Sequence, residues 1–529
     1  MDILRRAAQH FHPERRFTQR DNPLAGSAPW GIVYRVSTPD LLAAPDPDDI
    51  RGLARGLHQV VDLAERTLSD EAGPSAAGRS VMAHLGCELA DVVPVTERFK
   101  LWEHVNVQRG VDAYLAAHGG GEGWIGLASG FHRPHENMLS LINSSSSSRV
   151  SAANYGTAPI GPDEQTEVVV LGLMLTAAPD GTPVVIGIRA EQDFSPVYTG
   201  LELLAADRAA AIATRDEIDR LIRVNNVFRG QVLSFSESEH YGNELVSFLP
   251  RPEVTAEDVI LPDGVLATIE GHVVGVADWS QDLLSAGQHL KRGLLLYGPP
   301  GTGKTHTMRY LMRRQADSTV ILLTGTSIRF IDRAAALARR LQPSIVVLED
   351  VDLVGMDRDF TPDSNPLLFS LLEAMDGVGS DADVTFVLTT NRADILELAL
   401  ADRPGRVDLA VEIPRPDAVC RERLLRLYAR HLVIDADLAH IVASTAGVTA
   451  SFIKEMIRRT VLVSLRAGER PPVLRGPHFA EVLAEMGGEH NALTRSLLGA
   501  PTASAPGGQP PADREPVQHP RPWPVHPRG

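Results

Sequence analysis

Cysteine is nearly absent: 529 residues contain two, Cys87 and Cys420, in stretches of different texture and without the paired spacing of a metal site. A disulfide framework and a thiolate-held metal are thereby excluded as organising features, and the usage fits a reducing compartment. Long apolar runs are missing as well. Nothing approaches the roughly 20 consecutive apolar residues of a membrane helix, and the first residues, Met1-Asp2-Ile3-Leu4-Arg5-Arg6, lack the apolar segment of a secretory leader. The expectation is a cytoplasmic chain with no membrane partner. Positive charge is in deficit, the formal net charge being −16. That disfavours nucleic acid as the main partner, because such affinity comes largely from cations neutralising phosphates. Lysine is scarce too, at four of the 51 Lys+Arg residues.

One of those four, Lys304, closes the most informative stretch. A short apolar strand, Leu294-Leu295-Leu296-Tyr297, breaks into Gly298-Pro299-Pro300-Gly301-Thr302-Gly303-Lys304-Thr305, followed by His306 and a helical pattern. All eight positions of a P-loop are met. Gly298, Gly301 and Gly303 allow the tight bend that turns successive N–H groups toward one anion, and the helix that follows offers its positive end. Lys304 is placed for the β- and γ-phosphates and the Thr305 hydroxyl for Mg²⁺. Residues 298–306, including Pro299, Pro300, Thr302 and His306, form the candidate nucleotide cradle.

Downstream, strand and helix alternate, as in a parallel sheet with helical crossovers. Residues 320–323, 345–348, 384–388 and 409–413 read as strands and, with 294–296, make five. Chemistry belongs at their carboxyl ends. After Leu348 come Glu349, Asp350 and Asp352, suited to a Walker B site in which Glu349 holds Mg²⁺ and Asp350 orients the attacking water. After Leu388 come Thr389, Thr390 and Asn391, whose amide can sit beside a γ-phosphate. Arg403 and Arg406 flank a Pro-Gly turn that can project cations toward another subunit.

These segments, together with Leu371 to Gly377, resemble the ordered motif set of the AAA ATPases over about residues 255–490. The resemblance implies ATP and Mg²⁺ as cofactors and ATP hydrolysis as the activity. It also implies Asn391 as the sensor residue, Arg403 and Arg406 as arginine fingers, and a homohexameric ring that remodels or translocates a protein partner. The competing reading is a nucleotide-controlled scaffold, assembled by ATP without threading a substrate. Two departures stand out. The acidic pair runs Glu349-Asp350 where the family has Asp-Glu, an order resembling the subfamily of the mitochondrial chaperone that translocates the Rieske iron–sulfur protein. Phe330-Ile331 is the nearest match to a substrate-gripping pore pair, with Asp332 where threading relatives carry glycine.

The expected architecture is α/β: a five-stranded parallel P-loop sheet with a C-terminal helical lid, preceded by a mixed α+β region. Composition and patterning divide the chain into a mostly helical region 1–125, an α+β module 126–250 suited to a substrate or partner, and a large ATPase subdomain 251–416. A lid, 417–495, with helices over 421–431, 438–444, 451–465 and 478–486, and a proline-rich tail, 496–529, follow.

Overall fold

The computed structural model describes residues 74–128, 137–143, 149–190, 198–237, 244–352, 366–379, 381–392 and 406–487. Residues 1–70 form a separate unit from 71–529, and only the second holds described residues. Residues 1–73, Arg403 and the 496–529 tail lie outside them.

The chain enters through α1 (Ala76–Leu85), β1 (Val93–Lys100), α2 (His104–His118), β2 (Ile125–Ala128), α3 (Met138–Asn143), β3 (Arg149–Ala152) and β4 (Asn154–Pro159). It continues through β5 (Gln165–Ala177), β6 (Pro183–Ala190), β7 (Tyr198–Ala205) and α4 (Arg208–Val224). These build an antiparallel sheet in the order β1-β7-β6-β5-β2-β3, with β4 also on β5. β6 and β7 are buried along nearly their whole length because both faces are covered. Val107, Val111 and Tyr114 of α2 and Ile218 and Ile222 of α4 pack on one face, and Val81, Met138 and Ile142 on the other. Helices α2 and α4 cross closely at Gly110, where a Cβ would stand 2.4 Å from the Ile222 side chain. The Asp207 carboxylate caps α4 by accepting from the N–H groups of Ala209 and Ala210.

Two expected boundaries fail here. The break at 125/126 divides one sheet, since β1 pairs with β7 from Val93↔Ala205 to Lys100↔Tyr198. The break at 250/251 also fails, because β8 (Val232–Glu237) and β9 (Glu244–Leu249) leave the first sheet for the second. The order there is β14-β10-β13-β12-β11-β8-β9, with β10 (Arg292–Tyr297), β11 (Thr319–Thr324), β12 (Ser344–Glu349), β13 (Val384–Thr390) and β14 (Leu409–Glu412) the five expected parallel strands. The sheet therefore has seven strands. β8 runs parallel to β11, pairing Val232↔Val320, Leu233↔Ile321 and Ser234↔Leu322, and β9 returns antiparallel. Without them β11 would present an unpaired backbone edge. Leu233 and Phe235 share one core with Ile321, Leu323, Phe386 and Leu388.

Helices α5 (Val265–Asp278) and α6 (Ser280–Ser285) precede β10, and α7 (Lys304–Arg314), α8 (Ile331–Arg340) and α9 (Pro366–Gly377) are crossovers. The lid follows: α10 (Ala418–Tyr428), α11 (Leu438–Ser444), α12 (Ala450–Arg466) and α13 (Gly476–Gly487), the four helices expected, around Leu425, Ile453, Met456 and Phe479. Among the described residues no helix is long and apolar enough to cross a membrane.

The segment after Pro250 is anchored. The Arg251 guanidinium donates to the carbonyl oxygens of Met312, Gln315, Gly230 and Ser318, the last two at 2.9 Å. It ties the start of β8 and the end of β9 to the turn between α7 and β11. Replacing it leaves several half-buried acceptors short of a donor. Arg251→Met is expected to lower unfolding stability by about 2–3 kcal/mol, read as a reduced urea midpoint with far-UV circular dichroism unchanged. An unaltered midpoint would show the anchor to be dispensable.

Candidate functional site

Three strands end side by side. Leu296 pairs with Thr389 and Tyr297 with Thr390, while Leu348 pairs with Leu388. The segments leaving β10, β12 and β13 thus emerge at one sheet edge, bringing Gly298–Thr305, Glu349–Asp352 and Asn391 together. Burial of these strands on both faces follows from helical crossovers on each side.

The loop has the shape its glycines permit. Gly298 has φ 139°, and a Cβ there would lie 2.4 Å from the Ile413 carbonyl oxygen, at the exit of β14. Gly301 has φ 77°, and a Cβ would meet the Ser451 hydroxyl at 2.9 Å. The Ser451 N–H donates to the Gly301 oxygen at 3.1 Å, and Thr449 caps α12 on the same side. The start of α12 therefore packs against the P-loop.

Lys304 is buried at 6% exposure. Its ammonium donates to the carbonyl oxygens of Gly298 and Pro299, at 2.8 and 3.0 Å, and to Asn391 Oδ1, at 2.8 Å. Burial lowers its pKa from the ordinary value, opposed by the negative charges of Asp350 and Asp352. Asn391 turns its Nδ2 to Asp350 Oδ1 at 3.3 Å, so one amide touches both the P-loop lysine and the candidate water-orienting carboxylate. Asp352, 7% exposed, accepts from Thr390 Oγ1 at 2.9 Å and from the Asn391 N–H at 3.1 Å. It pins the end of β13 to the end of β12. Its positioning role was not separable in sequence from the adjacent acids.

Asp350 has φ 51°, the one non-glycine residue in the left-handed region among the described residues. Its N–H donates to Thr389 Oγ1 at 3.0 Å, and the Val351 N–H to the Thr389 oxygen at 3.0 Å. The strand end thus turns sharply back onto β13. Aspartate adopts this conformation more readily than glutamate, its short side chain bonding locally. The Glu349-Asp350 order therefore has a backbone reason as well as a chemical one. Glu349, the last residue of β12, is half-buried.

Other expected residues fare differently. Arg406 is 6% exposed, and its guanidinium is bidentate on Asp376 of its own chain, at 3.1 and 2.6 Å. It does not project from the chain. Ile331 is fully buried and Phe330 half-buried; the Phe330 ring lies 6.0 Å from that of Phe235 and under the guanidinium of Arg329. Thr324 and Ser327 cap a 3₁₀ turn, Gly325–Phe330, that runs straight into α8. No open loop remains for a pore pair at this position. Asp258 carried no signal in the sequence. Its carbonyl oxygen contacts His306 Nε2 at 3.1 Å and its carboxylate pairs with Arg430 of the lid at 3.2 Å, bridging the P-loop helix and the lid.

Residues 294–415 match the family model described as the ATPase family associated with various cellular activities (AAA). This segment is similar to an AAA domain. The chain is similar to the ATP-dependent zinc metalloprotease FtsH 2 of Symbiobacterium thermophilum, 32% identical over 231 residues covering 41% of this chain and 39% of that protein. It is also similar to the proteasome-activating nucleotidase of Methanoregula boonei, at 33% over 199 residues covering 35% and 45%. The 26S proteasome regulatory subunit 6A of Encephalitozoon cuniculi is 32% identical over 190 residues, covering 33% and 47%. The chain spans less than half the length of these relatives.

The residues present in this segment fit a Mg²⁺-nucleotide. The loop is one that a side chain at Gly298 or Gly301 would force against Ile413 or Ser451, buried Lys304 stands at the helix start, and Asp350 and Asp352 lie near enough to act on its charge. Lys304→Ala is expected to weaken binding of a fluorescent ATP analogue by roughly 10- to 100-fold, the worth of a lost charged hydrogen bond. Asp350→Asn, which keeps the left-handed turn cheap, is expected to leave the affinity and the melting temperature nearly unchanged. Asp350→Glu is expected to lose about 1 kcal/mol of stability through backbone strain. Equal stability of the two variants would remove the conformational account of the acidic order.

Proposed function

We propose that this chain hydrolyses ATP with Mg²⁺ and works as an oligomeric ring that changes the state of a protein partner. The observation that carries it is the contact of Asn391 with both Lys304 and Asp350 where three parallel strands end. In this reading the P-loop N–H groups and Lys304 hold the β- and γ-phosphates, and Thr305 and Glu349 hold the metal. The bound Mg²⁺ supplies charge neutralisation for the phosphates. Asp350 accepts a hydrogen bond from the attacking water and orients it, and Asn391 keeps that carboxylate and Lys304 at a fixed separation. Asp352 acts through Asn391 and Thr390, as a positioning residue. The names of the relatives, which include an ATP-dependent protease and a nucleotidase, support the activity and a protein partner.

Arg403 is assigned the reach to a neighbouring subunit's nucleotide. Arg406, held by Asp376, is assigned the anchoring of the same turn, and contributes in trans only by leaving that pair. The homohexamer, the cytoplasmic location and the likeness to the Rieske-translocating subfamily belong to this proposal and rest on the motif set. The second reading, a nucleotide-controlled scaffold that does not thread its partner, is favoured by one observation: Phe330 and Ile331 pack inside the chain.

Phosphate release separates these assignments. Asp350→Asn is expected to bind ATP and lower turnover by about 10²- to 10³-fold. Arg403→Ala is expected to lower turnover of the assembled protein by roughly 10³-fold, with nucleotide affinity retained. Turnover stimulated by an unfolded protein favours remodelling, and indifference to it favours the scaffold. Undiminished turnover by Asp350→Asn would reject the role given to that carboxylate.

A further inference from the structure

Helix α8 is tied to the 3₁₀ turn Leu101–Glu103, which follows β1 of the first sheet, at one end through β8 of the second sheet and at the other end directly. At its start, Phe330 packs against Phe235 of β8. The Phe235 ring stands edge-on to Trp102, 6.1 Å between centroids and 81° between planes, and Trp102 in turn packs on Phe228 at 5.7 Å. At the other end of α8, Arg340 pairs with Glu103 at 2.8 Å. The Arg229 guanidinium donates to the carbonyl oxygens of Gln342 and Arg340, at 3.0 and 3.3 Å. Trp102 and Glu103 belong to the 3₁₀ turn Leu101–Glu103, which leads directly into α2. That helix carries Val107, Val111 and Tyr114 into the core of the first sheet.

The start of α8 also reaches the nucleotide site by a short hydrogen-bonded route. Thr324, the last residue of β11, is the Cα partner of Glu349 at the end of β12. The Thr324 N–H donates to Ser327 Oγ at 2.7 Å, and that hydroxyl donates to the Thr324 oxygen at 2.9 Å. One capped 3₁₀ turn then spans the distance from the end of β11, beside the carboxylate strand β12, to Phe330. Close-packed aromatic contacts of this kind transmit displacement because the interior has little room to absorb it.

We propose that α8 is a lever: a change at the Glu349–Asp350 strand end moves α8, and the N-terminal sheet moves with it as one body. Phe330 serves as the joint between them, where a threading enzyme would place a residue that grips substrate. This rests on the reading of the P-loop segment as an ATP site. It goes beyond it by making the N-terminal module an output of nucleotide state, held by α8 rather than tethered by a linker.

Hydrogen–deuterium exchange of the full-length chain tests the lever, comparing no nucleotide, Mg²⁺-ADP and a Mg²⁺-bound non-hydrolysable ATP analogue, with affinity for each measured in parallel. In the wild type, amides of residues 99–118 are expected to change exchange rate by about 5-fold or more between the two nucleotides, the lower end of ordinary coupling. Phe330→Ala and Phe235→Ala are each expected to abolish that difference while nucleotide affinity is retained, and Phe330→Leu to keep part of it. Glu103→Gln, which leaves the aromatic contacts intact, keeps the test open should the alanine variants fold poorly, and is expected to reduce the difference. Nucleotide binding without any change over 99–118 in the wild type overturns the lever, as does an undiminished change in both Phe330→Leu and Glu103→Gln. Failure of the wild type to bind either nucleotide overturns the ATP-site reading, and the lever with it, and the affinity arm identifies that case.

Discussion

Parallel pairing of β10, β13 and β12 is the constraint on which the rest of the molecule depends. A parallel sheet sends every strand out at the same edge, so segments far apart in the chain must share it. Gly298 follows Tyr297, Asn391 follows Thr390, and those two strand ends are hydrogen-bonded neighbours. Glu349 follows Leu348 on the next strand over. The contacts of Lys304 with Asn391, and of Asn391 with Asp350, are consequences of that register. A slip along any one strand would carry its functional residue away from the other two, and in these buried strands a slip of one residue would also exchange the faces packed by different helices.

The sheet does not stop where the motifs do. β11 would be an edge strand in a five-stranded sheet, and the β8–β9 hairpin covers it with backbone hydrogen bonds and the apolar faces of Leu233 and Phe235. Once that hairpin is bound, the N-terminal sheet is no longer an appendage. Its α2 helix starts, and its α4 helix ends, within a few residues of Trp102 and Phe228, whose rings pack into the core of the second sheet. The connection between β11 and α8 has a neighbour for its aromatic residue as a result, and Phe330 is drawn into the interface.

Local conformation and chemistry are tied at two points of the site. Asp350 occupies a left-handed backbone position, a small strain held in place by the Thr389 hydroxyl and by Asn391. Such strain persists where surrounding contacts over-determine the residue. Arg406 illustrates the converse. Its sequence context reads as a cation offered outward, yet Asp376 lies within reach in the same chain, and a bidentate pair at low exposure outweighs hydration of the free guanidinium.

Much of this was legible in the linear sequence. The P-loop, the five parallel strands, the acidic strand end, Asn391 and the four lid helices each rest on patterns that are complete within a short window: glycine spacing, apolar runs, a cap followed by a helical period. Residues such as Gly298 and Lys304 are determined locally, because the backbone shape and the charge are properties of the loop itself. The tertiary structure alone decided what lies beside what. That β8 belongs to the second sheet, that Arg251 closes a junction, that Asp258 joins His306 to Arg430, that Phe330 meets Phe235 and that Arg406 meets Asp376 are all pairings between distant segments. No window of sequence contains both members of such a pair, and each is settled by which faces remain to be covered once the sheets have formed.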